Sequence, residues 1–500
     1  MNRTTLSLIA CTVALAAVTG FAALDPPAAT GTDAAGGATE RPVERTGLLC
    51  PAPSFSDIAD TTYTSFTPVT QGAGSGGKAA LEAAAERPAD GKGAKSGKKD
   101  RNSESDKPVL TPKPPGTPAA GDTSGSDTPA LIGTADGTYA PGWTVQQTTR
   151  IAAGTGRGLQ GVTCTPADTD FWFPGASTAE GRTDYVHLTN PDDEAAVVDI
   201  KLYGKGGALK SPVADGITVP PHSSEPVLLS TLTEEAQTDL TVHIGVRGGR
   251  VGATVQAQDD AGGGDWLPAA ADPAGSLVLP GIPKDATDVR LIAFTPGDDD
   301  ADVKVRLASP DGSITPAGNE TVHVKAGMTT AVDLGPVTRG EPGSLLLTPT
   351  GDAVPVVAAL RVVRGKGARR ETAYIPATAP VGRRATAADN SAKGSTLSLT
   401  APTGNATVKV TASAGSEGGS PATKTYTIKS GTSQDIAAPT GGKGTYALTV
   451  EPVSGGPVYA ARTLTGSSDG VSGFTIQTLP SDRGLVAVPG AEQDLSILQR

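Results

Sequence analysis

The most constraining feature of this 500-residue chain is an alternating apolar and charged stretch that returns at a fixed interval. Val198-Asp199-Ile200-Lys201-Leu202 reappears as Val303-Lys304-Val305-Arg306-Leu307 and, in weaker form, as Val408-Lys409-Val410-Thr411-Ala412. The central residues Ile200, Val305 and Val410 are spaced 105 residues apart. Alternation with period two marks a strand with one wet face, and self-similarity at a fixed spacing marks a repeated architecture.

Each copy has matching surroundings. A turn-rich stretch precedes it: Thr189-Asn190-Pro191, Thr295-Pro296-Gly297 and Ala401-Pro402-Thr403. Further strands follow at 217–219, 240–246 and 250–256, and at the corresponding places one and two repeats on. The units close near Trp266-Leu267-Pro268, Tyr374-Ile375-Pro376 and Leu479-Pro480. About a hundred residues with six or seven short strands is the size of a β-sandwich. A propeller blade is shorter, at roughly 40–50 residues. Gly 64, Pro 41 and only 4% aromatics suit short strands joined by turns and exclude a helical bundle or coiled coil.

The expected fold is therefore all-β, with tandem immunoglobulin-like β-sandwiches at 182–285, 286–385 and 390–490 after an N-terminal apolar signal or anchor segment at 1–24. One short helix is expected from Leu232 to Leu240, where Thr231 and Glu234 have capping-box spacing. Residues 44–180 read as a smaller β unit, closed by Phe171-Trp172-Phe173-Pro174. Residues 71–129 interrupt it as a disordered insert, because they carry almost no large apolar side chains to offset the entropy of ordering. The insert's Lys92, Lys95, Lys98, Lys99 and Arg101 read as a solvated spacer rather than a tether to anionic polymer.

Arg3 precedes an uncharged apolar run from Leu6 to Leu24, ended by Asp25-Pro26-Pro27. This pattern is an export signal or a retained membrane anchor, and both readings stay open. With Cys11 inside that run, Cys50 and Cys164 are the smallest set that can form one bridge. An exported chain meets oxidising surroundings, so a Cys50–Cys164 disulfide is expected. The net charge of −11 argues against nucleic acid as a partner.

Chemistry is sparse. His187, His222, His243 and His323 do not recur with the repeat, and no two have zinc-ligand spacing on one element. Gly466-Ser467-Ser468-Asp469-Gly470 matches a nucleophile elbow, but no histidine follows residue 323. Gly156-Arg157-Gly158-Leu159-Gln160-Gly161 matches a dinucleotide fingerprint but runs into Val162-Thr163-Cys164-Thr165-Pro166, which opens no helix. Asp298, Asp300 and Asp302 alternate like calcium-loop ligands without the required glycine, and read as a polar turn. No catalytic, cofactor-binding or metal residue is assigned, and no cofactor is expected. Trp172 and Trp266, at unit ends, read as seam plugs. Trp143, beside Pro141-Gly142, is the candidate platform for a stacked sugar ring.

Several strings together resemble a known family. They are Leu48-Leu49-Cys50-Pro51-Ala52-Pro53, Trp172-Phe173-Pro174-Gly175, His187-Leu188-Thr189-Asn190-Pro191, Gly216-Ile217-Thr218-Val219-Pro220-Pro221-His222-Ser223 and Gly264-Asp265-Trp266-Leu267-Pro268. They are similar to an uncharacterised family of exported actinobacterial proteins, the domain of unknown function numbered 5719. The resemblance implies an envelope setting near a multi-spanning glycosyltransferase and assigns no role to any residue. The expected function is a non-enzymatic extracytoplasmic scaffold or accessory protein, partnered by a membrane-bound envelope enzyme. The alternatives are a cell-wall polysaccharide-binding module and an enzyme with a site between domains.

Overall fold

The computed structural model describes residues 39–86, 108–468 and 471–488. The signal or anchor segment at 1–24 and the basic cluster at 92–101 lie outside them. The chain divides into a small unit, 1–41 with 485–500, and a large one, 42–484. The small unit contributes to a two-stranded sheet of Thr39–Pro42 with Leu485–Val488. Everything below concerns residues 42–484.

This unit is built from β-strands, with 3-10 turns as the only helical elements among the described residues. It contains the same seven-strand plan four times, once more than the repeat predicts. In each module the first, fifth and third strands form one antiparallel sheet; the fourth, second, sixth and seventh form the other. Module 2 shows the plan clearly. Asp170–Ala176, Leu240–Gly248 and Ala196–Gly204 face Ser223–Leu228, Arg182–Thr189, Gly252–Asp259 and Gly263–Leu267. Alternate side chains from both sheets, among them Val186, Leu188, Val198, Ile200, Val242, Ile244 and Val255, meet in one apolar cluster. Modules 3 and 4 repeat this between Leu277 and Pro376 and between Ala385 and Thr478. The strand order differs from an immunoglobulin constant domain, in which the second strand pairs with the fifth and the third with the sixth.

Four sequence expectations need correction. The expected starts at 286 and 390 fall too late, since Leu277–Ile282 and Ala385–Asn390 are the first strands of modules 3 and 4, paired with Gly343–Pro349 and Tyr446–Gly455. Asp170–Ala176 does not close the N-terminal unit. It is the first strand of module 2, paired with Leu240–Gly248 from Asp170↔Gly245 to Ala176↔Leu240. The stretch 71–129 contains ordered strands, Ala79–Ala83 and Ala119–Ser124, which are the third and fourth strands of module 1. Leu81 is fully buried there and bridges Leu110. Residues 232–240 form no helix; a 3-10 turn at Leu229–Thr231 leads into turns, and Thr231 Oγ1 donates back to the Leu228 carbonyl. A β-branched threonine serves a tight turn by such local bonding as readily as a helix cap.

Module 1 therefore runs from Arg45–Cys50 to Gly158–Thr163, with the sheet orders of the other three. Its core is smaller, and the Cys50–Cys164 disulfide sits within it. The bridge closes a separation of 114 residues. In the entropic account of cross-links, a loop of that length stabilises by roughly 4–5 kcal/mol.

The modules close into a ring. The seventh strands Gly158–Thr163, Gly263–Leu267, Glu371–Pro376 and Val471–Thr478 each pack on the next, and the last packs on the first. The first strand of module 2 lies on the second and sixth strands of module 3. Module 3 does the same to module 4, and module 4 to module 1. Glycine permits these close approaches. A Cβ on Gly473 would lie 2.3 Å from the Leu159 amide nitrogen, and one on Gly161 would lie 2.4 Å from Gln477 Nε2.

Candidate functional site

The functional candidates gather where the four modules meet, on the ring axis. In Val471–Thr478 the strand period of two separates two chemistries. Phe474 and Ile476 join the apolar cluster of module 3. Thr475 and Gln477 turn to module 1. Thr475 Oγ1 donates to Asp265 Oδ1 at 3.1 Å, and the Gly161 amide donates to the same oxygen at 2.9 Å. Gln477 Nε2 donates to Thr475 Oγ1 at 2.6 Å.

Beside this group Arg462 is 1% exposed, and its Nη2 donates to Gln146 Oε1 at 3.0 Å. The Asp389 amide donates to that oxygen at 2.9 Å, and Thr148 Oγ1 donates to Asp389 Oδ2 at 2.6 Å. Burial lowers the Arg462 guanidinium to about 10, against the pull of Asp389 and Asp265, so it remains charged at neutral pH. Burial also holds the Asp265 carboxyl well above the usual range, against its hydrogen bonds and Arg462. These are groups of a structural seam. Arg462 makes no ion pair among the described residues, and its Nε and Nη1 find no hydrogen-bond partner, so its charge rests on Gln146 and on the nearby Asp389 and Asp265.

At one end of the axis the seventh strands and the turns before them border an open cavity of about 320 Å³. Every module contributes: Arg157 and Leu159 from the first, Gly262 and Gly264 from the second, Arg369 to Thr372 from the third, Ser472 to Phe474 from the fourth. The Arg364 guanidinium lies 4.7 Å over the Phe474 ring and pairs with Asp285. Glu371 is the one carboxylate in the lining; burial raises its carboxyl, while Arg364 and Arg157 pull it down and Asp285 adds to the rise.

The sequence candidates fall elsewhere. Trp143 is no platform: it is 3% exposed in the core of module 1, and its Nε1 donates to Ser65 Oγ at 2.8 Å. Its neighbours Pro141-Gly142 form a turn, yet the ring turns inward over Gly133, where a Cβ would lie 2.8 Å from the indole. Trp172 does plug a seam, stacked 3.9 Å from His243 and 5.5 Å from Phe294 of module 3. Trp266 meets buried His187 edge-on at 5.1 Å, and Phe55 of module 1 stacks on that imidazole at 5.8 Å. Gln256 lies near His187 without completing a hydrogen bond, and burial lowers the imidazole to about 4. Asp300 and Asp302 flank His323 at 3.3 and 2.9 Å, which accounts for their alternation. Among the described residues no cluster of three or more histidine, cysteine or carboxylate side chains is placed to hold a metal ion, and no helix is long and apolar enough to cross a membrane. The cavity arginines were not singled out from the sequence, because turn arginines carry no signal until the fold brings the turns together.

This site defines an all-β protein of four alike modules closed around a polar axis, with one cavity shared by all of them. The chain belongs to the family of unknown function DUF5719, whose model matches residues 119–439, more than half its length. No curated protein matches it.

Proposed function

We propose that the protein is a non-enzymatic extracytoplasmic scaffold or accessory protein of the cell envelope, built from modules of immunoglobulin size and carried outward by its N-terminal apolar segment. The observation that supports this best is ring closure. Arg462, Gln146 and Asp389 join the last module to the first and hold four sandwiches as one body. A rigid body with many exposed sheet edges suits the holding of partners, since its surfaces are fixed in relation to one another before any partner arrives. The Cys50–Cys164 bridge favours an oxidising compartment. The partner envisaged is a membrane-bound envelope enzyme.

The test is crosslinking of the tagged protein in cells, followed by membrane isolation and identification of what co-purifies. A stoichiometric envelope protein supports the scaffold. Turnover of an envelope glycan or peptide by the purified chain, lost when cavity residues are changed, overturns it in favour of an enzyme working between modules. Recovery with wall polymer and no protein partner favours a binding module, whose contact residues are then other than Trp143.

A further inference from the structure

We infer that the cavity at the ring axis is a binding site for the phosphate monoester of a small polyol or sugar, free or as a lipid headgroup. It is lined by Arg157, Arg369 and Arg370 against the single carboxylate of Glu371, a surplus of two positive charges in a chain whose net charge is −11. A phosphate monoester carries about −1.5 to −2 at neutral pH and presents three acceptor oxygens. Guanidinium groups meet such oxygens with paired, planar N–H donors, which a point charge does not offer.

The placement of these arginines distinguishes them from scattered surface charge. Arg157 stands just before the seventh strand of module 1, held by an Nη2 hydrogen bond to the Ala261 carbonyl of module 2. Arg369 and Arg370 come from the turn that leads into the seventh strand of module 3. Both are exposed, and neither makes an ion pair with a carboxylate among the described residues. Cations elsewhere are commonly paired: Arg182 with Asp184, Arg250 with Asp192, Arg290 with Asp239, Arg364 with Asp285 and Arg384 with Asp482. Behind the arginines the cavity has an apolar wall of Leu159 and Phe474, and Thr372 and Ser472 add hydroxyls. The volume of about 320 Å³ accommodates a phosphate with a small polyol or sugar. The inference stands apart from the scaffold role, because a partner could dock on the outer sheets with this cavity empty.

The test is calorimetric titration of the full chain with glycerol 1-phosphate, together with flotation on vesicles containing phosphatidic acid, whose headgroup is a phosphate monoester. Saturable binding to either, displaced by inorganic phosphate, is expected. Glycerol 1-phosphate alone would assign a soluble ligand, and the vesicles alone a lipid headgroup. The double variant R369A/R370A should lose tenfold or more in affinity, roughly the worth of one charge-assisted hydrogen bond or better. Arg306, exposed on a strand of module 3, gives the control R306A, which should bind as the parent does. Arg369 and Arg370 are exposed, so a thermal melt of the double variant should match the parent and separate lost binding from lost fold. Absence of binding to both probes, equal affinity in R369A/R370A, or equal affinity for neutral glycerol would overturn the inference.

Discussion

The two seams on either side of module 4 are made by one strand and differ in kind. Toward module 3, Val471–Thr478 offers Phe474 and Ile476, Ala461 receives Gly281, the buried hydrogen bonds join neutral hydroxyls of Ser344, Thr400 and Ser433, and the charges of Arg364 and Lys284 lie at the margin. Toward module 1 it offers Thr475 and Gln477, with Arg462, Asp265, Gln146 and Asp389 beside them. Modules 3 and 4 are joined directly by the chain and find each other without help, so apolar burial suffices. Modules 4 and 1 must meet across a separation of 316 residues, from Gln146 to Arg462. An apolar patch would accept many partners there. Directional hydrogen bonds narrow the choice, since any other arrangement takes Gln146 away from both Arg462 and the Asp389 amide.

Gly473→Val should break the comparison most severely. Its side chain would enter the space of the Leu159 backbone, which cannot turn aside as a side chain would. We expect a loss above about 4 kcal/mol, with new protease cutting in the segment 377–384 that joins module 3 to a loosened module 4; unchanged denaturant midpoints would refute the glycine argument. Next is Arg462→Ala, expected to cost about 4 kcal/mol because it empties a fully buried site and takes a donor from Gln146. Arg462→Met should recover most of that loss while allowing misassembled forms, visible as extra species in native electrophoresis. If the methionine variant were as unstable as the alanine one and uniformly assembled, the specificity reading would fail. Phe474→Ala in the apolar seam should cost about 3 kcal/mol through cavity formation, with a single assembled species throughout.

The smallest effect concerns pH at the seam of modules 1 and 2. The imidazole of His187, held at about 4, is neutral when folded and takes up a proton near pH 6.5 when unfolded. Its contribution is complete above pH 6.5 and is lost as pH falls toward 4, by up to about 3 kcal/mol. Asp184 works in the opposite sense. Burial raises it to about 6, so its protonated form favours the folded state as pH falls from 6 to 4. Denaturant titrations of His187→Phe across that range should show stability falling less on acidification than in the parent. A parallel decline in both would refute the assignment to His187.

The 105-residue spacing was visible because the third strand of modules 2 to 4 has one wet face. Val305 and Leu307 are buried while Lys304 and Arg306 are exposed. The fourth copy escaped notice because its third strand is Ala79-Ala80-Leu81-Glu82-Ala83, which lacks β-branched residues and has the composition of a helix. Pairing with Leu131–Asp136 and burial of Leu81 override that preference. Phe171-Trp172-Phe173-Pro174 was legible as a boundary, but its side depended on pairing with Leu240–Gly248, seventy residues on. The Cys50–Cys164 bridge followed from counting. The axial site did not. Arg462 alternates with apolar neighbours as any half-exposed strand residue would, and only ring closure buries it.

Closure also sets a timetable. The outer sheet face of module 1 is covered by Ala385–Asn390, the first strand of module 4. As the chain is made, that face waits for most of the remaining sequence, with Gln146 and Thr148 open to water. Modules can fold one after another as they emerge, but the last docking step must close a loop of some three hundred residues, the slowest kind of contact to form. A chain halted before module 4 would carry four-strand sheets with an unfilled polar face, a difference that a quality-control protease could read from outside.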